Sequence, residues 1–380
     1  MRELRTWIEI DEKALRHNVA EFLKLIPKRT RFMAVVKSNA YGHGLVTVAQ
    51  SLANLTPDTY HLSPRLWFGV DSIVEGLRLR REGIKNPILV LGSTLPARIP
   101  EAAEHAIALA VSNFESLRAH ASVKNRPAFH LKIDTGMHRQ GFFPHEIKKA
   151  AAFLKASRLR PEGIFTHFAS AKDIAYPTYT LEQLKKFKDA DRELQKNGFT
   201  NMMRHAAASG GALLFPESHL DMVRIGMAMY GYWPSEESRI KNKELRVTLK
   251  PVLIWKTVVA EIKKIPKGAY VGYDCTERVS RNTTMAVLPI GYWHGYDRGL
   301  SSTGEVLIRG KRARVLGRVS MDMIVVDATD ISGIKVADEV VLIGKQGKDT
   351  VWGDAMALKI STSQYEVLTR INPLVKRIIV

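Results

Sequence analysis

The sequence contains one cysteine, Cys275, among its 380 residues. A lone cysteine cannot form an intramolecular disulfide, so a reducing compartment is expected. No run of apolar residues approaches the roughly 18 that a membrane-spanning helix requires. The opening residues MRELRTWIEIDEKALRHN lack the apolar stretch and the cleavage site of a secretory signal. The sequence therefore predicts a cytoplasmic protein without a membrane anchor.

Acidic residues are few compared with basic ones, 38 against 57, which gives a formal net charge of +19. Such an excess can indicate nucleic-acid binding. The basic runs are short and scattered, however, and Phe187 is the one aromatic residue within them. At helical spacing this ring is expected in the core rather than stacked on a base. The sequence disfavours nucleic acid as a partner, although a basic surface favours an anionic small ligand.

Several catalytic signatures are also missing from the sequence. There is no Gly-x-Gly-x-x-Gly after the first predicted strand, no His-Glu-x-x-His or Cys/His metal set, and no Gly-x-Ser-x-Gly elbow. No acidic pair has the spacing that a glycosidase needs. These absences argue against a dinucleotide-binding enzyme, a zinc enzyme, a serine hydrolase of that type and a glycosidase.

Short apolar runs alternate with helical patterns from the start to about residue 230. WIEI precedes DEKALRHNVAEFLKLI, and RFMAVV precedes GLVTVAQSLANL. Apolar residues of the longer segments recur at i, i+3 and i+4, which is typical of helices packed on one face. Repeated strand–helix units predict a parallel sheet with right-handed crossovers, and about eight of them favour a closed barrel. The predicted fold class is α/β, with an N-terminal (β/α)8 TIM-type barrel in residues 1–242.

The pattern changes after this point. Runs such as TTMAVLPIGY, MIVVDA and DEVVLIG are rich in β-formers and are separated by Gly, Pro or Asp turns. DAMALKIST is the one segment predicted as a helix. Residues 243–380 are therefore expected to form a mostly β C-terminal domain.

Polar residues follow the predicted barrel strands, where such a fold places its reactive groups. They are Lys37, Tyr41, Lys132, Asp134, Arg139, His167, His205, Ser209, Arg224 and Gly226. A partly desolvated lysine can form a Schiff base, and a hydroxyl beside glycine-flanked amides can hold a phosphate. A pyridoxal phosphate site requires this combination.

The segment AVVKSNAYGHG around Lys37 strongly resembles the cofactor-attachment motif of alanine racemases, which are fold-type III pyridoxal phosphate enzymes. Similar segments follow in the family's order: LKIDTGMHRQGF, THFASA, RHAAASG, MVRIGMAMYG, LPIGYWHGY, GRVSMDM and YEVLTRI. The resemblance covers essentially the whole chain. It implies a homodimer with shared active sites that uses pyridoxal 5'-phosphate to interconvert L-alanine and D-alanine. In a bacterium, the D-alanine would supply peptidoglycan precursors.

The resemblance implies two catalytic bases. Lys37 would carry the cofactor and handle the D-alanine proton, and Tyr273 of the partner subunit would handle the L-alanine proton. Arg139 and the backbone amide of Met321 would bind the substrate carboxylate. Further positions would hold the cofactor, most of them through its phosphate: Tyr41, His167, Ser209, Arg224, Gly226, Met227 and Tyr365.

The residues around the cofactor ring have a consequence for the reaction. Arg224 would face the pyridine nitrogen, with His205 supporting it and His167 near the ring. A guanidinium keeps its protons, so the nitrogen it contacts should stay unprotonated. The ring is then a weaker electron sink, which favours racemisation over transamination.

Supporting positions in the resemblance are Lys132, His205, Tyr292 and Asp322, and Lys132 matches a lysine that is carbamylated in some members. The chain departs from the common pattern at Ala208, where Asn is frequent, and at His138, where Gly is usual. Trp293 and His294 also stand where smaller or acidic residues are frequent. These departures concern the fine geometry near the cofactor and the entrance. They leave the reaction type unchanged.

Other functions remain open at this stage. A broader racemase acting on serine is the nearest alternative, although Tyr365 argues against a widened pocket. A decarboxylase for basic amino acids shares the two-domain plan, but Cys275 in YDCTE does not match its catalytic cysteine. A non-catalytic pyridoxal phosphate carrier shares the barrel and lysine. Such carriers lack a β domain.

Overall fold

The computed structural model describes residues 3–54, 65–171 and 177–380. Contacts divide the chain into two compact units. The first contains Ala14–Ala40 and Val48–Lys250, and the second contains Met1–Lys13, Tyr41–Thr47 and Pro251–Val380. The division differs from the expected one, because the second unit takes residues from the beginning of the chain. The expected boundary at residue 242 falls inside a helix, Glu236–Leu245.

Strand β1 (Thr6–Ile10) was expected in the barrel, and this expectation is wrong. β1 pairs antiparallel with Leu253–Val258 and parallel with Lys376–Ile379, both in the second unit. Its buried Glu9 is paired with Lys256 at 3.0 Å. A short, mostly apolar run followed by a helix has the same pattern whichever sheet it joins, so the sequence could not distinguish the two.

In the part of the chain that the structure describes, eight parallel strands form the sheet of the first unit, as predicted. Their order runs from β8 through β2 to β9, and a bridge between Ala208 and Arg224 nearly closes the barrel. β2 lies between β3 and β9, with Met33 opposite Trp67 and Arg224. The strands are β2 (Arg31–Val35), β3 (Leu66–Val70), β4 (Ile88–Val90), β5 (Ile107–Val111), β6 (Phe129–Lys132), β7 (Gly163–Phe165), β8 (Met203–His205) and β9 (Met222–Ile225).

Helices follow most of these strands and bury apolar faces. In helix α7 (Thr178–Lys196), Leu184, Phe187 and Leu194 are buried at helical spacing, which explains the aromatic residue in that basic run. The helices up to residue 245 are α1 (Glu12–Leu25), α2 (Leu45–Ala53), α3 (Ile73–Arg81), α4 (Ile99–Glu104), α5 (Phe114–Ser122), α6 (Ile147–Ala156), α7 (Thr178–Lys196), α8 (Ser209–Leu214) and α9 (Glu236–Leu245). No helix within the described residues is both long and apolar enough to span a bilayer.

The second unit is rich in strands, as predicted. Its largest sheet has the order β16-β15-β18-β10-β1-β20, with β19 paired to β18, and β11-β14-β17 and β12-β13 form smaller sheets. The strands are β10 (Leu253–Val258), β11 (Glu261–Ile265), β12 (Tyr270–Val271), β13 (Glu277–Arg278), β14 (Thr283–Leu288), β15 (Glu305–Ile308), β16 (Lys311–Arg314), β17 (Ile324–Asp327), β18 (Glu339–Gln346), β19 (Asp349–Val351) and β20 (Lys376–Ile379). Besides the expected helix α10 (Gly353–Lys359), a second helix, α11 (Gln364–Thr369), is present.

Candidate active site

Lys37 follows β2 and begins a left-handed turn. Ser38, Asn39, Ala40 and Tyr41 all have φ between 53° and 55°, a conformation that costs a non-glycine residue about 1–2 kcal/mol. The turn is held by Glu75, which accepts hydrogen bonds from the backbone amides of Ser38 (2.7 Å) and Asn39 (3.4 Å). The half-exposed Lys37 amine lies 3.5 Å from Asp71 Oδ1. A strained turn held in this way fixes the position of the Lys37 backbone, from which the side chain extends.

Arg224, on β9, is buried and its terminal nitrogens are engaged by protein acceptors. Nη1 donates to His205 Nδ1 at 2.9 Å, and Nη2 donates to the carbonyls of Thr166 (2.7 Å) and Ala206 (2.9 Å). His167 Nδ1 lies 3.4 Å from Nη2. Burial lowers the pKa of Arg224 to about 9, which leaves it charged at neutral pH. The guanidinium is therefore fixed as a donor.

Several cationic side chains lie near Arg224 in the first unit. Burial, and then the charges of Arg139, Arg224 and Lys37, lower the pKa of Lys132 to about 8. Burial and the same cations, together with Lys132, lower the pKa of His167 to about 3, so its ring is neutral. The structure thus brings Lys37, Lys132, Arg139, His167, His205 and Arg224 together, as the strand-end rule predicts for a barrel.

Ser209 and Gly226 also meet. Ser209 begins α8, and its hydroxyl accepts a hydrogen bond from the Gly226 amide at 3.1 Å. Gly226 follows β9, and Met227 after it is buried. Hydroxyl and amide groups at the ends of adjacent strand–helix connections are suited to hold an anion.

In the second unit, Tyr41 and Tyr365 form a pair whose ring centroids are 6.1 Å apart. Burial raises the pKa of Tyr365. The neighbouring Gly42 has φ of +87°, and a Cβ at this position would lie 2.0 Å from the Leu368 carbonyl oxygen. Glycine is required here because α11 approaches the backbone directly.

Tyr273, Tyr292 and Met321 line one cavity of about 710 Å³ in the second unit, together with Arg298 and Arg370. Tyr273 is 66% exposed and Met321 is 53% exposed. Tyr273 stands in a turn where Gly272, Asp274 and Cys275 have positive φ. Asp322 is exposed beside Met321, and its charge partly offsets the burial that lowers the pKa of His294. The structure therefore groups three of the predicted residues of this unit in one cavity.

Sequence reasoning missed several polar partners in the first unit. Asp71 follows β3, so the strand-end rule could have found it. Glu75 lies within α3 and Gln140 in a loop, and no spacing marks either of them. Gln140 Oε1 accepts a hydrogen bond from Lys132 Nζ at 2.9 Å.

Family models match both parts of the chain: the alanine racemase N-terminal domain at residues 10–234 and the alanine racemase C-terminal domain at residues 252–379. The chain belongs to the alanine racemase family. It is accordingly an amino-acid racemase, an isomerase, as the sequence predicted.

Individual relatives agree with this assignment. The alanine racemase of Symbiobacterium thermophilum is 40% identical over 98% of this chain and 96% of its own length, and that of Leptospira interrogans (serovar copenhageni) is 36% identical over 99% and 96%. The structure resembles alanine racemase from Clostridium difficile 630, with a TM-score of 0.90 and 31% identity over 99% of this chain and 96% of that one. Its similarity to the structure of alanine racemase from Bacillus anthracis with bound L-Ala-P has a TM-score of 0.90. The sequences are 35% identical, and the match covers 99% of this chain and 95% of that one.

Proposed function

We propose that this alanine racemase uses pyridoxal 5'-phosphate and two bases, Lys37 of one subunit and Tyr273 of its partner in a homodimer. The observation that carries the proposal is the arrangement in the first unit, where a strand-end lysine shares its surroundings with Lys132, Arg139 and Arg224. An anionic cofactor would complement those charges.

The residues present fit this cofactor. The Nε–H of Arg224 has no acceptor among the described residues, whereas both terminal nitrogens are engaged. A donor without a protein acceptor, on a side chain that is otherwise buried, suits the unprotonated ring nitrogen of the cofactor. The hydroxyls of Ser209 and Tyr41, the Gly226 and Met227 amides and Tyr365 would hold the phosphate, and Lys37 would attach the aldehyde carbon.

When bound, pyridoxal phosphate supplies the electron sink that makes the α-proton of an amino acid acidic. Arg224 would limit the strength of this sink, because a guanidinium that faced the ring nitrogen would donate a hydrogen bond without giving up its proton. His167, whose ring is neutral, would lie near the cofactor ring without adding a positive charge. This arrangement favours the return of a proton to Cα, which is racemisation, over transamination.

Two bases on opposite faces of Cα would move the protons. The Lys37 amine would remove or return the proton of D-alanine, and the phenol oxygen of the partner subunit's Tyr273 would do so for L-alanine. Tyr273 is exposed in one chain, which supports its use by a second subunit. Arg139 and the Met321 amide would bind the carboxylate and so orient the Cα–H bond between the bases.

Alanine is the proposed substrate. The relative from Bacillus anthracis is described with L-Ala-P bound. The phenols of Tyr365 and Tyr292 would leave room for a small side chain. A serine racemase is the second candidate, because a hydroxymethyl group is only one oxygen larger than a methyl.

The lone cysteine supports a cytoplasmic location, where D-alanine would enter peptidoglycan precursors. This role requires a bacterial source. The same location provides alanine and the cofactor, and places no demand on disulfide formation.

Proton exchange at Cα tests the proposed function. The holoenzyme would be incubated in D₂O with L-alanine, D-alanine, L-serine and L-lysine separately. We expect exchange with inversion, fastest for the two alanine enantiomers. Comparable rates on serine would replace the alanine preference with a broader one. A cofactor-bound protein that exchanges no α-protons with any of these amino acids would contradict catalysis. It would favour a non-catalytic pyridoxal phosphate carrier.

A further inference from the structure

A chain of hydrogen bonds leads away from Arg224 through the interior of the first unit. His205 accepts from Arg224 at Nδ1 (2.9 Å), and its Nε2 lies 2.7 Å from His130 Nδ1. His130 Nε2 lies 3.3 Å from Glu162 Oε2. His130 and His205 are fully buried, whereas the side chain of Glu162 is 40% exposed. The chain thus connects the guanidinium to a surface carboxylate through two imidazoles.

The donor character of arginine sets the direction of every bond in this chain. Arg224 can only donate, so His205 Nδ1 must be unprotonated and its proton must lie on Nε2. His205 then donates to His130 Nδ1, which leaves the His130 proton on Nε2, directed at the Glu162 carboxylate. A second proton on His130 Nδ1 would oppose the His205 proton at 2.7 Å. Both rings are therefore neutral Nε2–H tautomers.

The structure makes specific room for His130. A Cβ on Gly163, at the start of β7, would lie 2.4 Å from His130 Nδ1. On the other side, the His205 ring stacks on Phe165 with centroids 4.8 Å apart and planes at 5°. Burial lowers the pKa of His205 well below its usual value, which agrees with the neutral form.

Apolar side chains would fill this part of a barrel at lower cost. Burying polar groups costs free energy unless every donor and acceptor is paired, and a barrel interior normally consists of branched apolar residues. Here both nitrogens of His205 and of His130 are paired, in a chain that runs from Arg224 Nη1 to the Glu162 carboxylate. A fully paired polar chain that begins at a group facing the cofactor indicates a role in orienting that group.

We propose that His130 and Glu162 are positioning residues, which act through His205 to hold the Arg224 guanidinium in the orientation that the reaction needs. The inference rests on the proposed function in one respect, the contact of Arg224 with the cofactor ring. Neither residue touches a reacting atom. They fix the tautomers of the two buried imidazoles. As a result, His205 Nδ1 always accepts the hydrogen bond from Arg224 Nη1.

Histidine tautomers provide a readout that does not depend on activity. In ¹⁵N-histidine-labelled holoenzyme, we expect His130 and His205 to show pyrrole-like Nε2 and pyridine-like Nδ1 resonances, assigned by single substitutions. Doubly protonated His130, or His205 protonated at Nδ1, would overturn the relay. The tautomers are read from the spectrum of the unaltered enzyme, and the substitutions serve to assign its resonances.

Two substitutions at His130 separate hydrogen bonding from packing. In His130→Asn, the amide oxygen replaces Nδ1 as acceptor for His205, whereas His130→Leu fills similar space without an acceptor. We expect His130→Leu to lower kcat about tenfold or more with little change in KM, because one buried donor loses its partner. His130→Asn should stay within about threefold of the unaltered enzyme. Equal kcat values for the two variants would overturn the proposal.

A change outside the polar chain provides an independent test. Gly163→Ala places a methyl group 2.4 Å from His130 Nδ1 and 2.7 Å from the Met203 carbonyl oxygen, and we expect a loss of kcat at least as large as that of His130→Leu and a shifted His205 Nε2 resonance. Glu162→Gln keeps a carbonyl acceptor for His130 and should preserve both tautomers. An unaltered Gly163→Ala spectrum would contradict the relay. A cofactor-bound enzyme that does not racemise alanine would instead contradict the proposed function, and the tautomers would still be readable.

Discussion

At the scale of single residues, the site depends on groups whose protonation is fixed by their surroundings. Arg224 is a permanent donor in a buried setting, and His167 and Lys132 have lowered pKa values because they are buried among cations. The sequence predicted which residues these would be, because strand ends mark them. It could not predict the partners Gln140 and Glu162, which neither motif nor periodicity distinguishes from other surface polar residues.

Tyr273→Phe should separate the two directions of the reaction. The phenol is the proposed base for L-alanine, so the variant should lose racemisation by about 10²–10⁴-fold, the usual contribution of a general base. D-alanine should still exchange its α-proton with D₂O through Lys37, without inversion. Proton NMR with chiral chromatography measures both. Equal loss of exchange for the two enantiomers would contradict the assignment of one base to each face.

At the scale of elements, the strand–turn connections were harder to predict than the strands. The apolar run RFMAVV predicted β2, but nothing in KSNAY distinguishes a left-handed turn from an ordinary helix start, because none of these residues is glycine. The turn exists because Glu75 accepts from its amides. Likewise β1 could not be assigned to its sheet, since its partners lie at the other end of the sequence.

Gly42→Ala tests the close approach of α11. The residue has φ of +87° and its new Cβ would meet the Leu368 carbonyl oxygen at 2.0 Å. Gly83 is a matched control, with φ of +85° and nothing within 4 Å of a Cβ. Gly83→Ala should therefore lower the free energy of unfolding by only about 1–2 kcal/mol, the backbone strain alone. Gly42→Ala should cost clearly more in chemical denaturation. Equal losses would show that backbone strain alone accounts for the need for glycine.

At the scale of the whole molecule, the predicted residues lie in two different units, Lys37 and Arg224 in one and Tyr273 and Met321 in the other. The order of motifs along the sequence predicted the family, and the alternation of strand and helix patterns predicted the barrel. The subunit that supplies each residue follows from the resemblance alone, since one chain does not contain that information.

Mixed dimers test the sharing of active sites. A dimer of one Lys37→Ala subunit and one Tyr273→Phe subunit contains one site with both bases and one with neither. Random reassembly of equal amounts should therefore restore roughly a quarter of the unaltered activity. Each variant alone is the control. No recovery after confirmed subunit exchange would place both bases in the same chain.

Stability should fall as the solution becomes acidic. Burial lowers the pKa of His120 to about 4 and that of His167 to about 3, and it lowers the pKa of His205 well below its usual value, whereas unfolded histidine titrates near 6.5. The unfolded state therefore binds more protons between about pH 6.5 and pH 4. Each histidine should cost about 1.4 kcal/mol per pH unit in that window. His120→Gln, which can still donate to the Pro127 carbonyl, should reduce the slope by one such contribution in denaturant titrations. An unchanged slope would contradict the assignment.

The position of β1 has a consequence for biosynthesis. Ile10 pairs with Leu253, about 240 residues later in the chain. At 5–20 residues per second, the ribosome would take roughly 10 to 50 seconds to deliver this partner. Throughout that time the mostly apolar strand WIEI is without its sheet, and an unpaired strand edge attracts other chains. The nascent protein therefore has a built-in period of exposure during which a chaperone that shields the N-terminus would raise the yield of folded enzyme.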